Sequence, residues 1–425
     1  MIARLALGSR RLAKLLTGSI TLVLTLGTAL PAMAQESRAQ TTSCPAQVLS
    51  QPIYWNLDRL GTVKSQIKTE TSPYKVAYER LMRDADEALG KDLYSVTHKT
   101  KPGPSGDPKD YVSLSRYFWP NPKKKNGLPY IRKDGQTNPE INGEGFDRRR
   151  SQRMTADVTT LSLAAYFTGN KTYSDKAKRI VRTWFLDETT AMNPHLNYAQ
   201  GVPGASQGRE FGILDGRIYW DVIDSMLLLN SSNMASASFV DDLRAWFGTY
   251  AAWLIRSDFG KKARARKNNH GTFYDAQLAH VLMFAGRCDI AAKVVRTSHA
   301  RTISQIDKTG LMPEEASRTQ SLFYHAFNLR AYLRLAYFAR RLDIDYYDKA
   351  VSGSGSVKDS VDFVASYTGR IDEWPYKEIN RSIDKALWNM LVRAQRLDDS
   401  QTVTSAISRL NYEDPQNRVH LIFGN

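Results

Sequence analysis

The sequence is poor in the residues on which several enzyme classes depend. Two cysteines, Cys44 and Cys288, occur in 425 residues. That excludes a cysteine-built metal centre and allows at most one disulfide, although sequence alone does not show whether the two meet. Cys44 sits in "TTSC", without the Leu-Ala-Gly context of a lipidated cysteine, and Cys288 follows "FAGR" at an expected helix end, where it reads as structural. No H-E-x-x-H run points to a catalytic metal. No G-x-S-x-G elbow or Ser-His-Asp arrangement supplies a nucleophile. The sequence therefore calls for no metal and no cofactor. Acidic residues are outnumbered, 43 against 59 Lys and Arg, for a net charge of +16. No repeat recurs at a fixed period, which argues against a solenoid of near-identical units.

Long apolar runs are missing except at the start. "MIARLALGSRRLAKLLTGSITLVLTLGTALPAMA" carries Arg4, Arg10, Arg11 and Lys14, then an apolar stretch from Leu15 to Leu30, then Ala32-Met33-Ala34. This is the order of a secretory signal, with cleavage predicted after Ala34. The apolar stretch contains Thr, Ser and Gly and falls short of the roughly 20 residues of a membrane span. The expected organisation is a leader over 1–34 and a single domain over 35–425, exported to the periplasm or the medium, expected to be a monomer and not stably inserted in a membrane after cleavage. An exported chain does not meet nucleic acid where it works. Its basic excess points to another polyanion, acidic polysaccharide or an anionic membrane surface, with plain solubility as the simpler alternative.

Beyond about residue 150 the pattern is helical. "ADVTTLSLAAYFTGN" has broad apolar faces and stops at Gly169-Asn170, a good C-terminal signal. "TYSDKAKRIVRTWFLD" follows with Ala177, Ile180, Val181 and Trp184 at helical spacing. Strongly apolar helices alternate with more charged amphipathic ones, and such helices bury their faces only against each other. The expected class is all-α. Two segments break the rhythm, at about 99–145 and at 192–217. Both are rich in Gly and Pro and read as long loops, where binding residues tend to lie. The first also carries Arg116, Tyr117, Phe118, Trp119 and Lys123 to Lys125. Phe118 serves equally well as a pin for the loop. Tyr117 and Trp119, beside basic residues, suit sugar rings that bear carboxylates.

Two polar clusters stand where apolar helices begin. "KNNHGTFYDAQLAH" contains Asn268, Asn269 and His270, and "MPEEASRTQSLFYHAFNLRAYLR" contains Arg318, Tyr324, His325, Asn328 and Arg330. Among Asn269, His270, Arg318 and Tyr324 there is no pair of acids such as ordinary glycoside hydrolysis uses. An amide, an imidazole, a guanidinium and a phenol suit a different reaction, β-elimination in a uronic-acid polymer. The C5 proton lies α to a carboxylate and is hard to remove while that carboxylate keeps its charge. Asn269, His270 and Arg318 can neutralise it and stabilise the dianion that forms. A base takes the proton and an acid protonates the O4 leaving group. Tyrosine ionises near pH 10, so Arg318 and a charged histidine are expected to ease its ionisation. In D-mannuronate and D-glucuronate the proton and O4 share one face, and one phenol can serve twice. In L-guluronate they lie on opposite faces, with His270 as the natural second group. Each residue also has a plainer reading. Asn268 or Asn269 caps a helix, Tyr324 lies in a core, Arg318 pairs with Glu314 or Glu315, and "KKARAR" before the first cluster is a solvated face rather than a groove rim.

The same pieces resemble the alginate lyase superfamily of polysaccharide lyases: "NNH" opening a helix, R-x-x-S-L-x-Y-H after "LMPEE", and "MNPHLNYAQGVPG" with "GREFGILD". The loop "YFWPNP…GLPYIRKDGQTNPE" resembles a branch with glucuronan- and alginate-degrading members. The resemblance covers roughly residues 75 to 395. It implies an (α/α) toroid, an incomplete barrel of helical hairpins with a long groove. It implies Tyr324 as base and acid, with Asn269, His270 and Arg318 on the carboxylate. Tyr198, Gln200 and Arg209 fall in a matching loop and are expected to contact substrate, as are Arg116, Tyr117, Trp119 and His325. The expected partner is an acidic polysaccharide. Two other readings remain open: a hydrolase on the same scaffold, with Asp215 and Asp224 as its candidate acids, and a polyanion-binding protein without catalysis.

Overall fold

Helix burial separates two classes of helix. In the computed structural model, residues 43–380 and 382–423 are described; the leader falls outside them. The helices are α1 (Ala46–Ser50), α2 (Leu57–Gln66), α3 (Lys75–Gly90), α4 (Arg148–Thr168), α5 (Lys171–Phe185), α6 (Tyr219–Ser231), α7 (Ala237–Arg256), α8 (Asp258–Arg264), α9 (Asn269–Phe284), α10 (Cys288–Gln305), α11 (Pro313–Ala316), α12 (Ser321–Arg341), α13 (Val357–Ala365), α14 (Asp384–Ala394), α15 (Gln401–Ser408) and α16 (Val419–Ile422). In α4, α6, α9 and α12 most residues are buried on every side. In α5 and α10 only one face is. A helix that is apolar all round must sit inside a ring of others.

The pairing follows from that division. Inner helices α4, α6, α9, α12 and α14 pack on their chain successors α5, α7, α10, α13 and α15, giving five hairpins. The inner members pack on one another in the order α4, α6, α9, α12, α14. This is the all-α toroid of helical hairpins that the sequence implied. Between α14 and α4 the N-terminal pair Tyr54–Trp55 and the C-terminal residues 417–423 line a shared cavity. No helix among the described residues is long and apolar enough to cross a membrane.

Cys44 and Cys288 form a disulfide, with Cα atoms 4.9 Å apart. It ties the N-terminal segment to the start of α10. The Ser43 N–H donates to the Gly286 carbonyl and the Ser43 hydroxyl to Asp289. Further on, the Ile53 and Tyr54 N–H groups both donate to Asp224 on α6.

The two long loops carry what strand there is among the described residues. β1 (Val112–Leu114) pairs in parallel with β4 (Tyr198–Gly201), and β2 (Phe118–Trp119) pairs antiparallel with β3 (Ile131–Arg132). The first ladder joins the two loops to each other. The second makes the aromatic loop a hairpin. Both therefore lie as ordered structure beside the N-terminal ends of the inner helices.

Candidate active site

Asn268 caps α9: its side chain accepts the His270 N–H at 3.2 Å, in extended backbone, as a favoured N-cap does. Gly271 then has to be glycine. A Cβ there would lie 2.1 Å from the Arg266 carbonyl oxygen. The tight approach sets the direction of α9, and every residue of the helix except His270 is buried. His270 is thus the one side chain that α9 offers to the outside.

His270 faces a basic neighbourhood. Its imidazole packs edge-on against Phe211, with ring centres 4.7 Å apart. Arg209 and Arg266 lie over that same phenylalanine, at 4.5 and 4.6 Å. Burial pushes the His270 pKa down to about 3, and Arg318, Arg266, Arg209 and Arg217 push the same way. His270 is therefore neutral, which corrects the expectation of a charged histidine beside the phenol. A neutral imidazole can accept a proton; it cannot ease a phenol's ionisation by its charge.

Arg318 and Tyr324 come together as a stack. The guanidinium carbon lies 3.9 Å from the centre of the Tyr324 ring. Arg318 pairs with Asp134 at 2.8 Å, rather than with Glu314 or Glu315. The Tyr324 hydroxyl shares a hydrogen bond of 2.7 Å with the Tyr117 hydroxyl. Burial and the Tyr117 phenol raise the Tyr324 pKa, and Arg318 opposes them. Tyr324 is a phenol held beside a cation. The aromatic hairpin thus rests directly on the site, through Tyr117 on Tyr324 and Asp134 on Arg318.

Asn269 is placed differently from the expectation. It is 1% exposed. Its amide nitrogen donates to both carboxylate oxygens of Glu315, at 3.1 and 3.0 Å, and its backbone N–H to one of them at 2.6 Å. Its Oδ1 is buried without a partner. The amide is buried and its donors are taken up by Glu315, so in this structure it does not offer them to a substrate carboxylate. Burial pushes Glu315 up to about 7 against the hydrogen bonds from Asn269.

His325 is corrected outright. It is fully buried, its Nε2 accepts the Met312 N–H at 2.9 Å and its other nitrogen lies 2.9 Å from the Ser321 carbonyl. One residue along a helix turns a side chain by about 100°, so the neighbour of Tyr324 points into the core. Gln200 is also buried. Its amide nitrogen donates to Asp215 at 2.9 Å and its backbone is left-handed, φ 51°. It braces the loop from behind and does not offer that donor to a ligand. Of the other expected contacts, Arg116, Tyr117, Trp119, Tyr198 and Arg209 are all half-buried. The Trp119 indole N–H donates to the Gln136 carbonyl, and Lys133 lies 5.2 Å over its ring. Arg209 lies between the Phe118 and Phe211 rings.

Several site residues were not singled out from the sequence. Asp134, Phe211 and Arg217 reach the site from positions far from the two clusters; Glu315 lies in the second cluster but holds Asn269 rather than Arg318. Arg266 is the end of "KKARAR" and pairs with Glu210. The rest of that run divides: Lys261, Lys262 and Arg264 are exposed. Asp215 and Asp224, the candidate acids of a hydrolase, are both buried and engaged. Asp215 accepts from Tyr111, Ser113 and Gln200, and Asp224 from the Ile53 and Tyr54 backbone. Neither is available to a sugar.

Comparison with known proteins agrees with the geometry. The family model described as alginate lyase matches residues 95–374. An alginate lyase structure from Bacteroides ovatus is 34% identical, covering 88% of this chain and 99% of that one, with a TM-score of 0.83. The chain belongs to the alginate lyase family. It is a polysaccharide lyase. The A1-III alginate lyase of Sphingomonas species A1 shares the fold at 15% identity, with a TM-score of 0.55 over 89% of this chain and 99% of that one. No curated protein sequence matches the chain. Within this family of lyases, the phenol, imidazole and arginines around Tyr324 are the candidate catalytic group.

Proposed function

We propose that the protein is an exported lyase that cleaves a 1,4-linked polyuronate, alginate or glucuronan, by β-elimination at Tyr324. The observation that carries this reading is the stack of Arg318 on Tyr324, with the charges of Arg318, Arg266, Arg209 and Arg217 felt at His270 and no acid among these groups. The arginines draw in a polyanion and offset its carboxylates. In the reaction the C5–H and C4–O4 bonds break and a C4=C5 double bond forms. The proton leaves C5 for the catalytic base and a proton is delivered to O4, so the enzyme is regenerated and no water is consumed. On mannuronate or glucuronate, Tyr324 fills both roles. Arg318 lowers the cost of its phenolate, and a bound uronate carboxylate takes part of the arginine charge.

A second division of labour, with His270 as base and Tyr324 as acid, is the pair that L-guluronate's opposed faces require, although the lowered His270 pKa makes the imidazole a weak base. Export is supported by the leader and by the disulfide, which is stable in oxidising compartments. The two routes are separated by the ultraviolet absorbance of the unsaturated product on polymannuronate, polyguluronate and glucuronan. We expect absorbance to rise on at least one of them and the Tyr324→Phe variant to abolish it. Silence on every polyuronate would sink the proposal.

A further inference from the structure

A cavity of about 270 Å³ lies inside the ring of inner helices, lined by α4, α6, α12 and α14, with Tyr54, Trp55 and the C-terminal segment on its seam side. It approaches the size of small-ligand pockets, roughly 300 Å³ and upward, the scale of a mono- or disaccharide. Four arginines line it, Arg330, Arg334, Arg393 and Arg418, against a single acid, Asp221. Arg330 lies six residues beyond Tyr324 on α12, about 9 Å along the axis, so the cavity is not the Tyr324–Arg318 stack itself.

The charges in this cavity do not balance. Arg334 is matched: it lies 3.7 Å from Asp221 and 3.9 Å from Asp224, between the Tyr54 and Trp220 rings. Arg418 donates only to neutral acceptors, the Ala156 carbonyl and the Thr160 hydroxyl. Arg393 donates to the Asn389 carbonyl and side-chain oxygens and lies over the Phe423 ring. Arg330 has no hydrogen bond or ion pair to any described residue. Arg330 is half-buried, and a partly desolvated guanidinium without a counter-charge is costly. Burial pushes the Arg330 pKa down to about 9, and Arg393 and Arg217 add to that. A second polar group awaits a partner in the same place: the Thr155 hydroxyl lines the cavity, is buried and has none. Trp55, Trp220 and Phe423 supply flat apolar walls.

We propose that this cavity binds a carboxylate-bearing sugar ring, with Arg330 taking the carboxylate and Thr155 a hydroxyl. Guanidinium, hydroxyl and aromatic wall are the three complements of a uronate: charge, hydrogen bond and ring face. The identity of the ring rests on the polyuronate reading above; the anion requirement does not. The ring has two possible sources, a residue of the bound polymer or a free uronate released by the reaction.

The test uses the mature protein and its Arg330→Met variant. Methionine keeps the length and removes an unpaired, half-buried charge, so the variant is expected to fold with an unchanged or higher melting temperature. Calorimetric titration with an unsaturated uronate disaccharide is expected to show binding to the wild type and at least tenfold weaker binding to Arg330→Met. If the ring belongs to the polymer, Arg330→Met raises KM severalfold with kcat nearly unchanged. If it is released product, the variant keeps KM and loses product inhibition. Equal disaccharide affinity in the two proteins, with the same KM and the same product inhibition, overturns the proposal and leaves the lyase reading standing. Should no polyuronate be cleaved, the lyase reading fails, and the titration alone still decides for or against the cavity.

Discussion

Tyr324 is where the chemistry is most exposed to test. Removing its hydroxyl leaves the Arg318 stack and the groove in place, so binding should survive. Tyr324→Phe is expected to lower kcat by about 10²–10⁴-fold, the usual worth of a positioned acid or base, with KM within a few-fold of wild type. Initial rates of ultraviolet absorbance measure both. Its neighbour gives a contrasting result. His325 holds the Met312 N–H in the core, so His325→Gln should destabilise by about 1–3 kcal/mol and act on stability before rate. Burial holds the His325 pKa at about 4, below its value in the unfolded chain. The unfolded chain therefore binds the proton first, and stability present above pH 6.5 is lost as pH falls towards 4. Glutamine has no such loss, so the stability gap between the two proteins should be widest at pH 8 and narrow towards pH 5. Urea unfolding at the two pH values checks the sign. The contrast also shows what was legible. Residue types and the helix-start position exposed Asn268, His270, Arg318 and Tyr324. Helix phase within one residue, which separates Tyr324 from His325, was not legible without the packing partners. Asp134 escaped because an acid's partner across the fold leaves no trace in local sequence, and for the same reason Glu315, read as a partner of Arg318, holds Asn269 instead.

The elements were easier to read than their contacts. Periodicity separated inner from outer helices because a helix buried all round must be apolar all round. The two loops were recognised by Gly and Pro, but their pairing into β1–β4 and β2–β3 was not, since strands of two to four residues carry too little alternation to detect. That pairing matters for the aromatic hairpin. Three contacts latch it to the start of α12: Tyr117 to Tyr324, Asp134 to Arg318 and Thr319, and the Gln320 side chain to the Gly135 carbonyl. Asp134→Ala should free the hairpin while leaving β2 and β3 paired. Amide hydrogen exchange over residues 116–136 is expected to speed up, with exchange in α9 unchanged. Equal exchange in both proteins would show that the hairpin is held by its own packing. Tyr117→Phe acts on the same latch through the phenol. Because the Tyr117 hydroxyl raises the Tyr324 pKa, its loss should shift the Tyr324-dependent limb of the kcat/KM profile to lower pH.

At the scale of the whole molecule, the disulfide and the groove occupy opposite ends of one helix. His270 stands at the start of α9, and Cys288 follows its end. At 1.5 Å per residue the two are more than about 20 Å apart. The bridge closes a loop with a sequence separation of 244. In the chain-entropy view so long a loop is worth on the order of 5 kcal/mol, by restricting the unfolded chain. It also anchors the segment that brings Ile53 and Tyr54 to Asp224 and so closes the seam beside α14. Reduction, or Cys44→Ser, is therefore expected to lower the melting temperature by roughly 5 °C or more. The rate at 25 °C should stay near the wild-type value, because nothing in the Tyr324 site touches the bridge. The two readouts separate a staple from a working part. A fall in melting temperature at constant kcat/KM is the staple's signature. A parallel loss of activity in the folded, reduced protein would mean that the seam, through Tyr54 and Arg334, is coupled to the groove.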